Sequence, residues 1–456
     1  MNQARTRRDF LTLAAAGAGL LGLAACAPAA APAPTAAPKA TEAPKPAGTT
    51  APAVATQAPA KPATKVTLEL WTHFAGANLE FMNKLIEEFK KDNQDVDFKV
   101  TSIGSGEINQ KFITAAAGGA PPDIFHAPGW TPPDMALGGM LAPLTDVKLP
   151  VELFKNFEGI TIFKGVRYGL PLNGGLGAMA FNKDLMAAAG VTKAPATWDE
   201  LLAAAQKMTK ASDGQWGILL PNKPGGTATM QTVVSFFSSA GTELLSPDGT
   251  APAFNNDAGL AAFQFGTDLI QKHKVHPVKS YTNNDTWNDY GTGKIGAVNL
   301  YPVWLGNIRT FKFKTLCAEM PRLKGPGTNL AGNYWTAPAQ ISKEKFAAFS
   351  RWVTWWYDAK RNAQWCKDTG GIPVGQAVID TEIFQAYLKA EPDTVKAYID
   401  SIAYAKPFPA VPGAAAVIDI VATAWEASVL GKTPPKEALA QAEKLAADEL
   451  KRAQKR

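Results

Sequence analysis

The chain has 456 residues, long enough for a large bilobal body, and carries 46 Lys plus Arg against 40 Asp plus Glu. Its net charge of +6 gathers on no lysine- or arginine-dense face in the body, so the excess does not imply a nucleic-acid partner. Charged residues make up only 19%, while the 12 tryptophans stand out as flat surfaces suited to stacking a sugar ring or a cation.

The N-terminus sets the expected compartment. Thr6-Arg7-Arg8-Asp9-Phe10-Leu11 is a twin-arginine export motif, followed by an Ala/Gly/Leu run too short and too weakly apolar for a membrane span. Leu23-Ala24-Ala25-Cys26 resembles a bacterial lipobox. Residues 1–25 are therefore expected to be a signal peptide, and Cys26 the lipidated first residue of the mature chain. Residues 26–64 are almost wholly Ala, Pro and Thr. Such a composition cannot offset the entropy of ordering, so they are expected to be a disordered tether.

The body opens with Val66–Trp71, an alternating buried strand, and a loop over 72–76. Leu79, Met82, Leu85, Ile86 and Phe89 then mark one face of a helix over 78–92. Residues 96–103 read as a second strand and 105–117 as a second helix, stopped by Gly118-Gly119-Ala120-Pro121-Pro122. Asp123-Ile124-Phe125 is a short third strand. This β-α-β-α-β order argues for a parallel sheet in an α/β lobe.

Ligands of open α/β sheets bind beyond the carboxyl ends of the strands. Those ends carry Trp71, His73 and Phe74, then His126 and Trp130. As a metal pair His73 and His126 lack a third ligand at a recognisable spacing; as polar groups they would hydrogen-bond a solute or close a loop. Trp130 follows Pro-Gly and precedes Thr-Pro-Pro, which suits a stacking surface.

Residues 164–185, KGVRYGLPLNGGLGAMAFNKDL, are glycine-rich and extended. Such a segment suits a crossover between two bodies, or a glycine-rich hairpin. With it, AAAGGAPPDIF, Ala194-Pro195 before Thr197-Trp198-Asp199-Glu200-Leu201, and Gly293-Lys294 leading to Pro302-Val303-Trp304 resemble the landmarks of the family 1 extracellular solute-binding proteins, the sugar-binding subunits of bacterial ABC importers. The resemblance runs from about Val66 to the C-terminus.

It implies a two-lobed α/β fold of the periplasmic-binding-protein type (type II), each lobe a mixed or parallel sheet flanked by helices, joined by three hinge passages. The first lobe would hold 65–172 and 336–371, the second 178–332 and 376–456. Gly174, Gly175 and Gly371 would serve the hinge, with Asn333-Tyr334-Trp335 as its second passage. The solute, a sugar first, would meet Trp71, His73, His126, Trp130, Asn173, Trp287, Trp304, Tyr334 and Trp335, of which Trp304 matches the family's stacking tryptophan. The implied partners are an ABC permease and the membrane, through the Cys26 lipid. Monomer and an extracytoplasmic location are expected, with no nucleic acid.

In the second lobe, Thr197 and Glu200 have capping-box spacing, Trp216–Ile218 reads as a strand, and 231–240 and 257–273 as helices. Helices are also expected over 342–365 (a pair), 382–388, 394–403, 414–430 and 435–453. Trp352, Trp355 and Trp356 share one helix as an aromatic core stripe. Cys317 and Cys366 could pair, or lie apart as small buried hydrophobes.

No G-x-S-x-G, H-E-x-x-H, P-loop or paired-cysteine zinc spacing occurs, so the chain reads as a non-enzyme without cofactor or metal. The rival is an exported glycan hydrolase, for which Asp134 and Asp285 are the nearby carboxyls. One departure bears on the ligand: maltose-type members place carboxylates at the position of Gly175 and near Trp130. A polyol, a glycerophosphodiester or a polyamine therefore stays open beside a sugar.

Overall fold

The computed structural model describes residues 65–104, 107–128, 131–225 and 227–455. The expected signal peptide, Cys26 and the tether lie outside the described residues, as does Trp130. Among the described residues no helix is long and apolar enough to cross a membrane.

The first sheet forms around β1 (Val66–Thr72), which runs parallel to β2 (Val96–Ser102) on one side and β3 (Ile124–Pro128) on the other. In β1, Leu68, Leu70 and Thr72 are fully buried on one face, and Glu69 and Trp71 are half-buried on the other, the period-two alternation of a strand. The helix Gly76–Asp92 between β1 and β2 buries Met82, Leu85, Ile86 and Phe89, four of the five residues of its apolar stripe. The helix between β2 and β3 runs Ile108–Ala117, starting later than 105. The chain goes out to β2 and returns across β1 to β3, so strand order reverses between β1 and β3. That is where open α/β sheets leave a crevice.

The same sheet is completed from far along the chain. β4 (Ile162–Phe163) and β5 (Val166–Arg167) form a small hairpin on Lys164 and Gly165, both at positive φ (49° and 77°). The expected single run 166–172 is therefore broken, and β6 (Leu170–Leu176) joins the main sheet. There β10 (Asn329–Thr336) pairs antiparallel with both β3 and β6, setting Trp335 opposite His126 and Asn333 opposite Asn173. β11 (Lys406–Pro407) runs parallel to the start of β10.

The second sheet holds β7 (Ala178–Asn182) between β8 (Ala297–Leu300) and β9 (Thr315–Ala318), both antiparallel to it. The segment expected as the strand Trp216–Ile218 touches this sheet through single bridges, Trp216 to Ile295 and Leu219 to Val298. The helix Thr227–Ala240 packs against Asp257–Gln271 and Ala414–Val429, and Pro435–Gln454 packs on the last two. Thr197 accepts the Glu200 N–H at 3.2 Å, but the Glu200 carboxylate turns to the Ala196 N–H, so only half of that capping box forms. The full box is at Thr282 and Asp285.

Three segments join the sheets. β6 passes through Gly177 into β7, and residues 319–328 carry the chain from β9 back to β10. The third segment, 370–374, lies beside β6, with Ile372 bridged to Gly174. Asn333, Tyr334 and Trp335 are not the second passage: they sit inside β10, hydrogen-bonded on both edges. Gly174, Gly175 and Gly371 all have ordinary φ, so none is glycine for its dihedrals. A Cβ on Gly174 would stand 2.2 Å from the Phe157 ring, and close approach is the reason for that glycine.

Cys317 and Cys366 are both buried and unpaired. Burial pushes the Cys317 thiol up to about 12.

Candidate functional site

The reversal between β1 and β3 brings His73 and His126 together. Their rings stack at 4.3 Å, and Phe74 leans on His126 at 4.4 Å. Thr72 Oγ1 lies 2.7 Å from His126 Nδ1 and already accepts the Phe74 N–H at 3.1 Å. Its second lone pair and its proton are both free for Nδ1, so Thr72 donates to or accepts from His126 according to the ring's tautomer. His126 Nε2 is buried without a hydrogen-bond partner, as is Nδ1 of His73. Burial pulls the His73 imidazole down from 6.5 to about 4. Burial, and secondarily the neighbouring His73, pull His126 well below its ordinary value. Both rings are neutral at physiological pH.

Beside this pair β10, β6 and the third joining segment converge. Asn333 of β10 stands next to His126 and donates from Nδ2 to Oδ1 of Asn173 on β6, at 3.2 Å. Gly371 of the third segment adjoins Asn173 and Trp365. Trp365, within the helix Ala359–Thr369, packs against Phe74 at 5.4 Å. His73 and His126 are thus in contact, and Asn173 reaches them through Asn333, while Gly371, expected in the hinge, adjoins Asn173. Thr72, Phe74, Asn333 and Trp365 complete the group; none was expected to meet the solute, although Phe74 was placed at a strand end and Asn333 in a hinge passage. Trp365, five residues before the Gly370-Gly371 break, was the available signal.

Trp287 and Trp304 form a second pair, stacked at 5.0 Å. Trp287 is buried behind, against Tyr290 and Phe311; Trp304 is half-buried, and its Nε1 has no partner. The turn Pro302–Trp304 abuts the end of the Trp365 helix: a Cβ on Gly370 would lie 2.2 Å from the Pro302 carbonyl oxygen.

Three expected residues are placed elsewhere. Trp71 is adjacent to Thr72 in a strand, so it points to the opposite face, where its Nε1 donates to Glu69 at 3.0 Å. Tyr334 is buried on that same face, for the same reason. Trp335 shares the face of His126, but it is fully buried and held edge-on by Trp352 and Trp356 at 5.9 and 5.2 Å. It is a core tryptophan, continuous with the stripe that holds Trp352 and Trp356.

Among the described residues, no charged side chain is bonded to His73, His126, Asn173, Asn333 or Trp304. The described residues hold no group of three His, Cys, Asp or Glu that could bind a metal. The two carboxyls of the hydrolase reading serve helix ends. Asp134 accepts the Gly413 N–H at 3.0 Å, ahead of the helix Ala414–Val429. Asp285 accepts the N–H and hydroxyl of Thr282, which hold its carboxyl below the usual range.

The sequence pattern of the bacterial extracellular solute-binding proteins matches residues 75–360. A protein of Brucella abortus (strain 2308), named only as a binding protein, is 26% identical over 416 residues, 87% of this chain and 95% of that one. An ABC transporter solute-binding protein of Thermotoga lettingae TMO, solved with α-D-tagatose, superimposes with a TM-score of 0.76 at 25% identity, covering 84% of this chain and 99% of that one. UgpB of Mycobacterium tuberculosis, solved with glycerophosphocholine, does so with a TM-score of 0.77 at 18% identity, covering 85% and 99%.

Proposed function

The chain belongs to the bacterial extracellular solute-binding proteins, and we propose that it is a lipid-anchored receptor that captures a small solute, a carbohydrate first, and delivers it to an ABC permease. In this reading the first lobe holds 65–172 and 336–371 and the second 178–332 and 376–456, apart from 329–332 and 406–407, which belong with the first sheet. Cys26 carries the anchor and 26–64 the reach.

One observation carries the ligand class. At the strand reversal, where β6, β10 and the third joining segment meet, the polar groups are neutral imidazoles and carboxamides, with the Trp304 turn close by. Neutral donors and an indole face suit a hydroxyl-rich solute, because no buried charge is left without a counter-charge. Closure follows if both lobes touch the solute and the closed form binds it more tightly.

The test is a thermal-shift panel on the purified mature chain with α-D-tagatose, maltose, D-mannitol, glycerophosphocholine and spermidine. A solute that binds only the folded chain raises its melting temperature with concentration. A sugar or polyol should do so without being turned over. Release of hydrolysed product would return the chain to the hydrolase reading, and a shift with spermidine alone would remove the carbohydrate.

A further inference from the structure

The body carries no lysine-dense run along its sequence, yet folding brings four separated lysines together. The helices Trp198–Met208, Asp257–Gln271 and Ala414–Val429 end at one place. There His273 Nδ1 lies 3.3 Å from Gln206 Nε2, and Gln271 donates to the Val429 carbonyl at 2.8 Å. Lys207, Lys272, Lys274 and Lys432 stand at or just past these ends, all exposed. Among the described residues none of the four is in an ion pair. The carboxylates around them are engaged: Asp268 accepts from Gln264 at 2.7 Å, and Glu426 from Ser280. The chain then holds no acidic residue until Asp285, which faces Lys279 and Lys223.

A cation at a helix C-terminus complements the helix dipole, and that accounts for Lys207. It does not account for the loop beyond. Lys274 has φ 52°, a left-handed conformation that is costly for a side chain and free for glycine. Just after it, Val275 and His276 are buried, and the His276 ring nitrogens lie 2.7 Å from the Pro277 carbonyl oxygen and 3.2 Å from that of Leu220. These anchors leave Val278 outside, 65% exposed, more than any other large apolar side chain among the described residues. Neither a lysine at that φ nor a valine so exposed improves the fold.

We propose that this loop, with Lys207 and Lys432 beside it, is a docking surface for an anionic lipid bilayer. The lysines attract the headgroups, and Val278 enters the interface between them. Open cations with no carboxylate among them suit a diffuse sheet of negative charge, and one small apolar tip suits shallow insertion. The receptor reading already sets the chain beside a membrane at Cys26, but the surface does not depend on that anchor.

The experiment uses the mature chain with Cys26→Ala, so that no lipid is attached, and phosphatidylcholine vesicles with or without phosphatidylglycerol. The chain should sediment with the anionic vesicles at low salt, not with the neutral ones, and release as salt rises. Lys272→Gln and Lys274→Gln should each weaken that binding about fivefold, the share of one lysine near an anionic surface. Lys274→Gly should weaken it as much while raising the melting temperature, because glycine relieves the backbone. Val278→Ser should also weaken it, with the melting curve unchanged. Equal binding to both kinds of vesicle, or unchanged binding in the lysine variants, overturns the surface. Unchanged binding in Val278→Ser, or release by inorganic phosphate at constant ionic strength, overturns the bilayer as its occupant. The assay contains neither solute nor anchor, so its failure leaves capture and anchoring standing, and theirs leaves the surface standing.

Discussion

Trp304 is the tryptophan on which local structure and family position agree. One face covers Trp287 and its indole N–H lacks a partner, while the residue stays half-buried at the turn beside the Trp365 helix. Trp304→Ala should weaken solute binding by about 1–3 kcal/mol, the range of a lost aromatic contact and its buried area, with a smaller loss of melting temperature. Calorimetric titration beside a melting curve separates the two; a large fall in melting temperature with unchanged affinity would make Trp304 core. The histidines give a pH dependence. His73 and His126 are depressed in the folded chain and ordinary in the unfolded one, so between about 4 and 6.5 the unfolded chain binds more protons. Stability should therefore be full above 6.5 and fall as pH drops towards 4, and His73→Gln should flatten part of that fall in a denaturant series. Buried His276, depressed the same way, supplies a remainder that His73→Gln leaves in place. Which residues would meet was half readable from sequence. Strand ends point to His73 and His126, and the alternation of β1, applied one residue further, would have put Trp71 on the other face. Trp335 was not readable, because only the cross-strand register sets it against Trp352 and Trp356.

The helix Ala414–Val429 shows how an element can depend on a distant one. It is preceded by Gly413 at φ 83°, which brings no capping side chain, and Asp134, from the segment after β3, supplies the acceptor instead. A carboxylate also opposes the positive end of the helix dipole. Asp134→Ala should therefore cost about 0.5–2 kcal/mol, the usual span for a lost cap, and Asp134→Asn less. Urea midpoints measure it; an unchanged midpoint in Asp134→Ala would mean that the cap is idle. Sequence periodicity located the helices to within a few residues, because each has one apolar face. Short strands were harder. Trp216–Ile218 has the composition of a strand but reaches its sheet by single bridges, and the 166–172 run breaks because Lys164-Gly165 turns its first two residues back onto β4. The second crossing was misplaced because Asn333-Tyr334-Trp335 is polar and aromatic like a rim, whereas hydrogen bonding on both edges makes it sheet interior.

β6, β10 and the 370–374 segment lie side by side, with Gly174 bridged to Ile372 and Asn333 bonded to Asn173. There the glycines are not equivalent. A Cβ on Gly174 would strike the Phe157 ring at 2.2 Å, whereas one on Gly175 meets the Ala331 backbone at an ordinary 3.5 Å. Gly174→Val should destabilise the fold by about 1–3 kcal/mol, as overpacking does. Gly175→Val should leave the fold nearly intact, and so isolates any effect on closure. The bilobal architecture was expected from family landmarks rather than from periodicity, since no local pattern reports which strands share a sheet at a separation such as β3 with β10. The central claim is capture of a solute by closure of two lobes. Small-angle X-ray scattering of the mature chain, with and without a saturating amount of the sugar or polyol that raises its melting temperature, tests it most directly. The radius of gyration should shrink on adding that solute and not on adding spermidine. An identical scattering profile with the bound solute present would contradict closure as the means of capture.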